Sequence, residues 1–286
     1  MIRNILIILI SAAYFTSSCG DGSKGTENTG TSQSDTIRVD NDEDDEDELI
    51  IFIPPPVELL SVLSEVGVKY RQGTLFPIDK KDQFNTAFKK YLVLGAYSAD
   101  MAYCVLQNQN QKSLEYMNAT NDLSEELGLN SMTQMRNYVE RYEENIGNND
   151  SLQQLINEFL ESNDAFYEDN NIMHISYIVY AGAWLESMNV GINSITSFDE
   201  EALSYRLSEQ INILSDIIRL LENKKNKYPE LPWLIENLNN IQSKYVNSTG
   251  IDQEETLVNF KILNEKELSE IAKVIRNTHE EVFSIE

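Results

Sequence analysis

Two apolar segments decide the fold: residues 91–106, YLVLGAYSADMAYCVL, and residues 172–198, IMHISYIVYAGAWLESMNVGINSITSF. Asp100 is the one charged residue of the first segment, and Glu186 is the one full charge of the second. A helix that is apolar on all sides either lies in the centre of a bundle or spans a membrane. Because a carboxylate in the middle of a bilayer is costly, the sequence favours two buried central helices.

From residue 57 onward the apolar residues recur with a period near 3.6, and strand signals are scarce. We therefore predict an all-α fold, a helical bundle or helical-hairpin array of about eight to nine helices. Ser197 with Glu200, and Asn264, are side chains typical of helix N-termini. The predicted helices are 57–67, 82–108, 111–127, 131–146, 151–168, 171–194, 198–225, 230–246 and 264–284.

The two central segments also match each other. Residues 95–97 (GAY) correspond to residues 182–184 (GAW) at an offset of 87, and Met101 corresponds to Met188 at the same offset. An internal duplication of a helical unit and a chance similarity both explain the match. A duplication would give the two glycines a packing role, because glycine weakens a helix interior and usually marks the close approach of a neighbouring helix.

Composition excludes several classes of protein. The chain has 286 residues and a formal net charge of −25, so it repels the phosphates of nucleic acids. Two cysteines cannot build a disulfide scaffold, and two histidines leave little material for a zinc site or a histidine-based triad. No phosphate-binding loop, dinucleotide glycine pattern or nucleophile elbow occurs in the sequence. We predict no cofactor, no metal site and no nucleic-acid partner.

The N-terminal segment has the order of a secretory signal: Arg3, an apolar run over residues 5–15, and small residues before Cys19. It resembles a bacterial lipoprotein signal of the Bacteroidota type. The resemblance implies that residues 1–18 are removed, that Cys19 is lipidated, and that its acyl chains anchor the protein in the outer membrane. It does not distinguish the periplasmic side of this membrane from the cell surface. The alternative is an ordinary secreted protein in which Cys19 has no such role.

Residues 19–48 are predicted to form an acidic, disordered tether. Residues 20–48 contain eleven acidic and two basic residues and few apolar ones, a composition that cannot bury enough surface to fold. The following segment, LIIFI at residues 49–53, favours an extended conformation and is expected to pack on the helical body. The predicted organisation is therefore a signal at 1–18, a tether at 19–48 and an all-helical domain at 49–286.

Residues 95–128 resemble a tetratricopeptide helical hairpin. Gly95, Ala96, Tyr97, Leu114, Tyr116 and the closing Leu127-Gly128 carry this resemblance, which covers one hairpin. The layout as a whole resembles uncharacterised all-helical lipoproteins of the Bacteroidota. These resemblances imply a location and an architecture, and they imply no chemistry.

Asp100 and Glu186 are the candidate functional residues, because a carboxylate in an apolar helix must be paired, hydrated or protonated. One interpretation is structural, with a salt bridge to Arg136, Arg141 or Arg206, or a position on a solvent-facing edge of the helix. The other is a ligand groove, lined by these acids together with Tyr97, Tyr180, Trp184 and His174. A plain aromatic core is the alternative for the rings, and packing is expected for Cys104. His279 is expected far away, on a solvated C-terminal helix.

The sequence thus predicts a lipid-anchored binding or scaffold protein without enzymatic activity, whose protein or small-molecule partner is unidentified. The alternative is a carboxylate-dependent hydrolase with a cleft between the two helical halves. The two hypotheses differ in the placement of Asp100 and Glu186, because two-carboxylate chemistry needs both acids in one open cleft.

Overall fold

The computed structural model describes residues 37–39, 49–51, 53–65, 67–71, 73–129, 132–196, 198–251 and 260–285. All of them fall within one compact unit, Ser34–Glu286. The signal segment, Cys19 and most of the predicted tether lie outside the described residues, so the lipidation of Cys19 stays a prediction.

The described residues form an all-α fold, as predicted. The helices are α1 (Pro56–Glu65), α2 (Ala87–Leu106), α3 (Asn110–Glu126), α4 (Met132–Glu144), α5 (Asn149–Asp169), α6 (Met173–Ser194), α7 (Glu200–Asn223), α8 (Leu231–Thr249) and α9 (Glu265–Val282). A 3₁₀ helix, Ile78–Gln83, precedes α2.

Three helix starts show how local side chains set the boundaries. The Thr86 side chain accepts the backbone N–H of Lys89, so α2 begins at Ala87 rather than at residue 82. Asp199 caps α7 through the N–H of Ala202, and the predicted cap at Ser197 is therefore wrong. The cap predicted at Asn264 is confirmed, with a complete capping box.

A short strand pair precedes the helices. Ile37–Val39 (β1) pairs antiparallel with Leu49–Ile51 (β2), and Ile37 lies opposite Ile51. Isoleucine and valine favour such pleated backbone. Part of the segment predicted to be a disordered tether therefore forms regular backbone pairs. Ile53, which follows β2, is buried, as expected for the end of the apolar segment.

The central helices α2 and α6 cross at their glycines. A Cβ atom on Gly95 would lie 2.0 Å from the carbonyl oxygen of Val179, and a Cβ atom on Gly182 would lie 2.2 Å from that of Leu92. The two contacts are reciprocal, because Val179 follows Leu92 at the same offset of 87 that relates the glycines. The backbones touch where any side chain would intrude, so both positions require glycine.

The surrounding helices repeat this symmetry. Both α1 and α5 pack against α2 and α6, while α3 packs on α2 and α7 packs on α6. In turn α4 packs on α3 and α8 on α7. This arrangement is what the duplication interpretation predicts. Helix α9 packs on α6 and α8.

Candidate functional site

Asp100 on α2 and Glu186 on α6 are both fully buried. Asp100 Oδ2 accepts the backbone N–H of Phe76 at 2.8 Å. Within the described part of the chain, Asp100 Oδ1 and Glu186 Oε1 have no hydrogen-bond partner. Burial, and then the negative charge of the neighbouring Glu186, raise the pKa of Asp100 well above its usual range, while the Phe76 hydrogen bond opposes the shift. These causes favour a neutral Asp100.

Two of the arginines expected to pair with Asp100 or Glu186 form ion pairs with other glutamates. Arg141 forms an ion pair with Glu158 at 2.6 Å. Arg206 forms one with Glu209 at 2.8 Å. The side chain of Arg136 lies outside the described residues. The structural interpretation of the central acids as partners of Arg141 or Arg206 is therefore wrong.

The partner of Glu186 is His279, on α9. The Nε2 atom of His279 lies 2.5 Å from Oε2 of Glu186, and 12% of the His279 side chain is exposed. The expectation that His279 lies far from the central helices is wrong. The sequence held a usable signal, because His279 follows Ile275 by four residues and precedes Val282 by three. It therefore falls on the same apolar face of α9.

The segment that closes over Asp100 is held by side chains of α2 and α3. Besides the bond from Phe76 to Asp100, the Tyr116 hydroxyl donates to the carbonyl of Phe76 at 2.7 Å. The Tyr97 hydroxyl donates to the carbonyl of Ile78 at 2.7 Å. These hydrogen bonds fix the chain around Phe76 and Ile78 against α2 and α3, beside the fully buried Asp100.

A polar cleft opens next to Glu186. It has about 680 Å³ of empty space, part of it open solvent, and Asp100 is not among its lining residues. The rings of His279 and Phe283, which both line this cleft, lie 4.7 Å apart, measured between centroids. The polar cleft is lined by Phe76, Lys80, Glu186, Asn189, His279 and Phe283, with others.

The six residues of the predicted ligand groove do not lie along one surface. Tyr97 lies near Asp100 in the interior, whereas Trp184 is buried toward α7, with its indole N–H donating to the carbonyl of Gln210 at 3.2 Å. Tyr180 borders a separate pocket that Ile53 also lines.

His174 lies apart from the other five, with its ring 5.8 Å from that of Tyr228. Burial, helped by nearby lysines, lowers its pKa. Cys104 is a free, buried thiol, and burial raises its pKa.

A second, apolar groove lies along the other half of α9, and sequence reasoning missed it. We call it the α6–α9 groove. It has about 1010 Å³ of empty space, part of it open solvent. Phe198 at its edge is 52% exposed. The apolar lining of the α6–α9 groove includes Leu63, Met188, Ile192, Leu207, Leu268 and Ile275.

Two arginines, Arg206 and Arg276, join this apolar lining, together with Glu265. Arg206 is held by Glu209, whereas no ion pair to Arg276 is found within the described ranges. The groove therefore combines a long apolar wall with one uncompensated cation.

Among the described residues, no group of three or more His, Cys, Asp or Glu side chains is arranged to hold a metal ion. None of the described helices combines the length and apolarity that crossing a bilayer requires. No family model, curated protein or solved structure matches the chain.

Proposed function

We propose that this protein is a binding module of the bacterial envelope, held to the outer membrane through a lipid on Cys19, which takes up a small apolar molecule in the α6–α9 groove. The groove itself is the observation that supports binding. Pockets that hold small molecules are concave and mostly apolar, with a few polar groups at defined places. The lining of the α6–α9 groove has this composition, and the exposed Phe198 extends the apolar surface at its edge.

The geometry favours binding over a hydrolase that uses both central acids. Asp100 is sealed beneath Phe76 and does not line the cleft that Glu186 reaches. Two carboxylates that act on one bond must both meet the substrate. The central acids therefore lack the shared open cleft that such an enzyme needs.

The lipid anchor is supported by the sequence, through the apolar run and the small residues that precede Cys19. We expect radioactive palmitate to label the wild-type protein in a bacterial host and to leave the Cys19→Ala variant unlabelled. A wild-type protein without label would overturn the anchor and leave the binding proposal standing.

Binding is tested with the neutral fluorescent probe Nile red. The wild-type protein should bind it saturably. Ala272 lines the groove and is half-buried, so Ala272→Trp should fill the space and abolish binding. Ala87 is exposed at the start of α2, which makes Ala87→Trp the matched control that should bind normally. Thermal melts confirm that both variants are folded. Equal binding by the two variants, or none by the wild type, would contradict the proposal.

A further inference from the structure

The α6–α9 groove contains an arginine, Arg276, that forms no ion pair within the described part of the chain, although the protein is strongly acidic. The chain carries 47 acidic and 22 basic residues, yet Arg276 is half-buried at the groove and has no carboxylate partner within the described part of the chain. A half-buried guanidinium loses part of its hydration, and a carboxylate would compensate it with two parallel hydrogen bonds. The groove therefore offers a position for an anion that the described chain does not supply.

The order of residues along α9 gives the groove a direction. Glu265 lies at one end of the lining and Arg276 at the other, eleven residues later. A helical rise of about 1.5 Å per residue separates them by about 16 Å. Leu268 and the half-buried Ala272 lie between them on the groove wall. An elongated molecule along this wall would meet an acid at one end, apolar side chains in the middle and an arginine at the other.

The charge balance at the groove fits a single negative charge. The charge of Arg206 is already compensated by Glu209 at 2.8 Å, and its guanidinium lies 5.2 Å from the ring of Tyr205. Arg276 thus supplies one positive charge that no ion pair among the described residues compensates, while Glu265 disfavours an anion at the far end. A monoanionic carboxylate matches this arrangement better than a phosphate monoester with two charges.

Resting on the proposed function, we infer that the α6–α9 groove binds a free fatty acid, with the acyl chain along Ile192, Phe198 and Ala272 and the carboxylate on Arg276. Burial of the chain against the apolar wall supplies the affinity, because each methylene removed from water contributes about 0.8 kcal/mol. The arginine supplies the selection for an acid over a neutral lipid of the same length.

The test is displacement of Nile red from the folded protein by dodecanoate, dodecanol and dodecyl phosphate. On the wild type, dodecanoate should bind about tenfold more tightly than dodecanol, since a charge-assisted hydrogen bond is worth about that factor. The variant Arg276→Gln should lose this preference by weakening dodecanoate about tenfold, with dodecanol unchanged. Arg219→Gln, on an α7 arginine that pairs with Asp216 and does not line the groove, is the control that should keep the preference.

Each outcome separates this inference from the function on which it rests. Equal displacement by dodecanoate and dodecanol on the wild type would overturn the fatty-acid inference, while Nile red binding would keep the binding module. Tighter binding of dodecyl phosphate would overturn the choice of carboxylate. Absence of Nile red binding would remove both proposals. The comparison of ligands on the wild type does not depend on whether Arg276→Gln folds.

Discussion

The central helices α2 and α6 share one packing motif and have different surroundings. Each carries a glycine at the crossing, an aromatic residue two positions later and a methionine six positions later. Met101 of α2 is sealed, and Ser113 of α3 donates a hydrogen bond to its carbonyl at 2.9 Å. Met188 of α6 lines the α6–α9 groove. Equivalent positions thus lie beneath α3 in one helix and beside the α6–α9 groove in the other.

The acids of the two helices show the same contrast. Asp100 accepts the backbone N–H of Phe76 and forms no ion pair within the described part of the chain, whereas Glu186 contacts His279 at the polar cleft. The covering helices cause the difference. Helix α3 packs closely along α2, while α7 and α9 leave space between them over α6. The two central helices share the crossing, and the helices that cover them leave a groove on the α6 side.

The largest expected effect concerns the crossing. Gly95→Ala and Gly182→Ala should each destabilise the protein by about 3 kcal/mol, because the new methyl group meets backbone atoms that cannot move aside. Gly191→Ala, also on α6, is the matched control. Its methyl group would meet the flexible end of Leu63 at 2.8 Å, and a gain in helix propensity of about 1 kcal/mol offsets the contact. Urea denaturation measures all three, and equal stability of Gly182→Ala and Gly191→Ala would refute the tight crossing.

A smaller effect is expected at His279. His279→Phe leaves the buried carboxylate of Glu186 without its partner, which should cost about 2 kcal/mol. His174→Phe is the control, since the ring of His174 packs beside Tyr228 and a phenyl ring can keep that contact. The two variants are compared by urea denaturation at one pH. A similar small loss in both would show that the contact with His279 does not support Glu186.

The smallest effect concerns Asp100 and depends on pH. Its pKa is raised in the folded state, so above the ordinary aspartate pKa the folded protein retains a proton that the unfolded chain has lost. Stability from this group is present at low pH and is lost as the pH rises. Asparagine does not titrate, so the stability of Asp100→Asn relative to the wild type should increase as the pH rises above the ordinary aspartate pKa, by about 1 kcal/mol per pH unit at most. A difference that stays constant with pH, or favours the wild type as the pH rises, would contradict a neutral Asp100.

The helices and their crossing follow from local sequence. A period near 3.6 predicts the helices, and glycine within an apolar run predicts a close backbone approach at Gly95 and Gly182. The predicted start of α2 at residue 82 is too early: residues 78–83 form a separate 3₁₀ helix, and the cap of α2 is Thr86. Such boundaries depend on one capping side chain, which periodicity does not register.

The candidate site follows from sequence only in part. Asp100 and Glu186 stand out because isolated carboxylates interrupt apolar runs. The contact between Glu186 and His279 joins residues 93 positions apart, and it depends on how α9 docks. The α6–α9 groove is a gap between several helices, whereas the apolar pattern of the sequence describes each helix separately. The candidate site therefore depends on packing between elements that are distant in sequence, and the periodicity of a single helix does not predict that packing.

Hydrogen–deuterium exchange of the intact protein with and without dodecanoate tests most directly whether the α6 side holds the ligand. Residues 188–195 and 268–276 contain most of the groove wall on α6 and α9. We expect dodecanoate to slow exchange in these two segments and to leave α2 and α3 unchanged. Slower exchange confined to α2 and α3, or spread equally over both central helices, would contradict a binding surface on the α6 side.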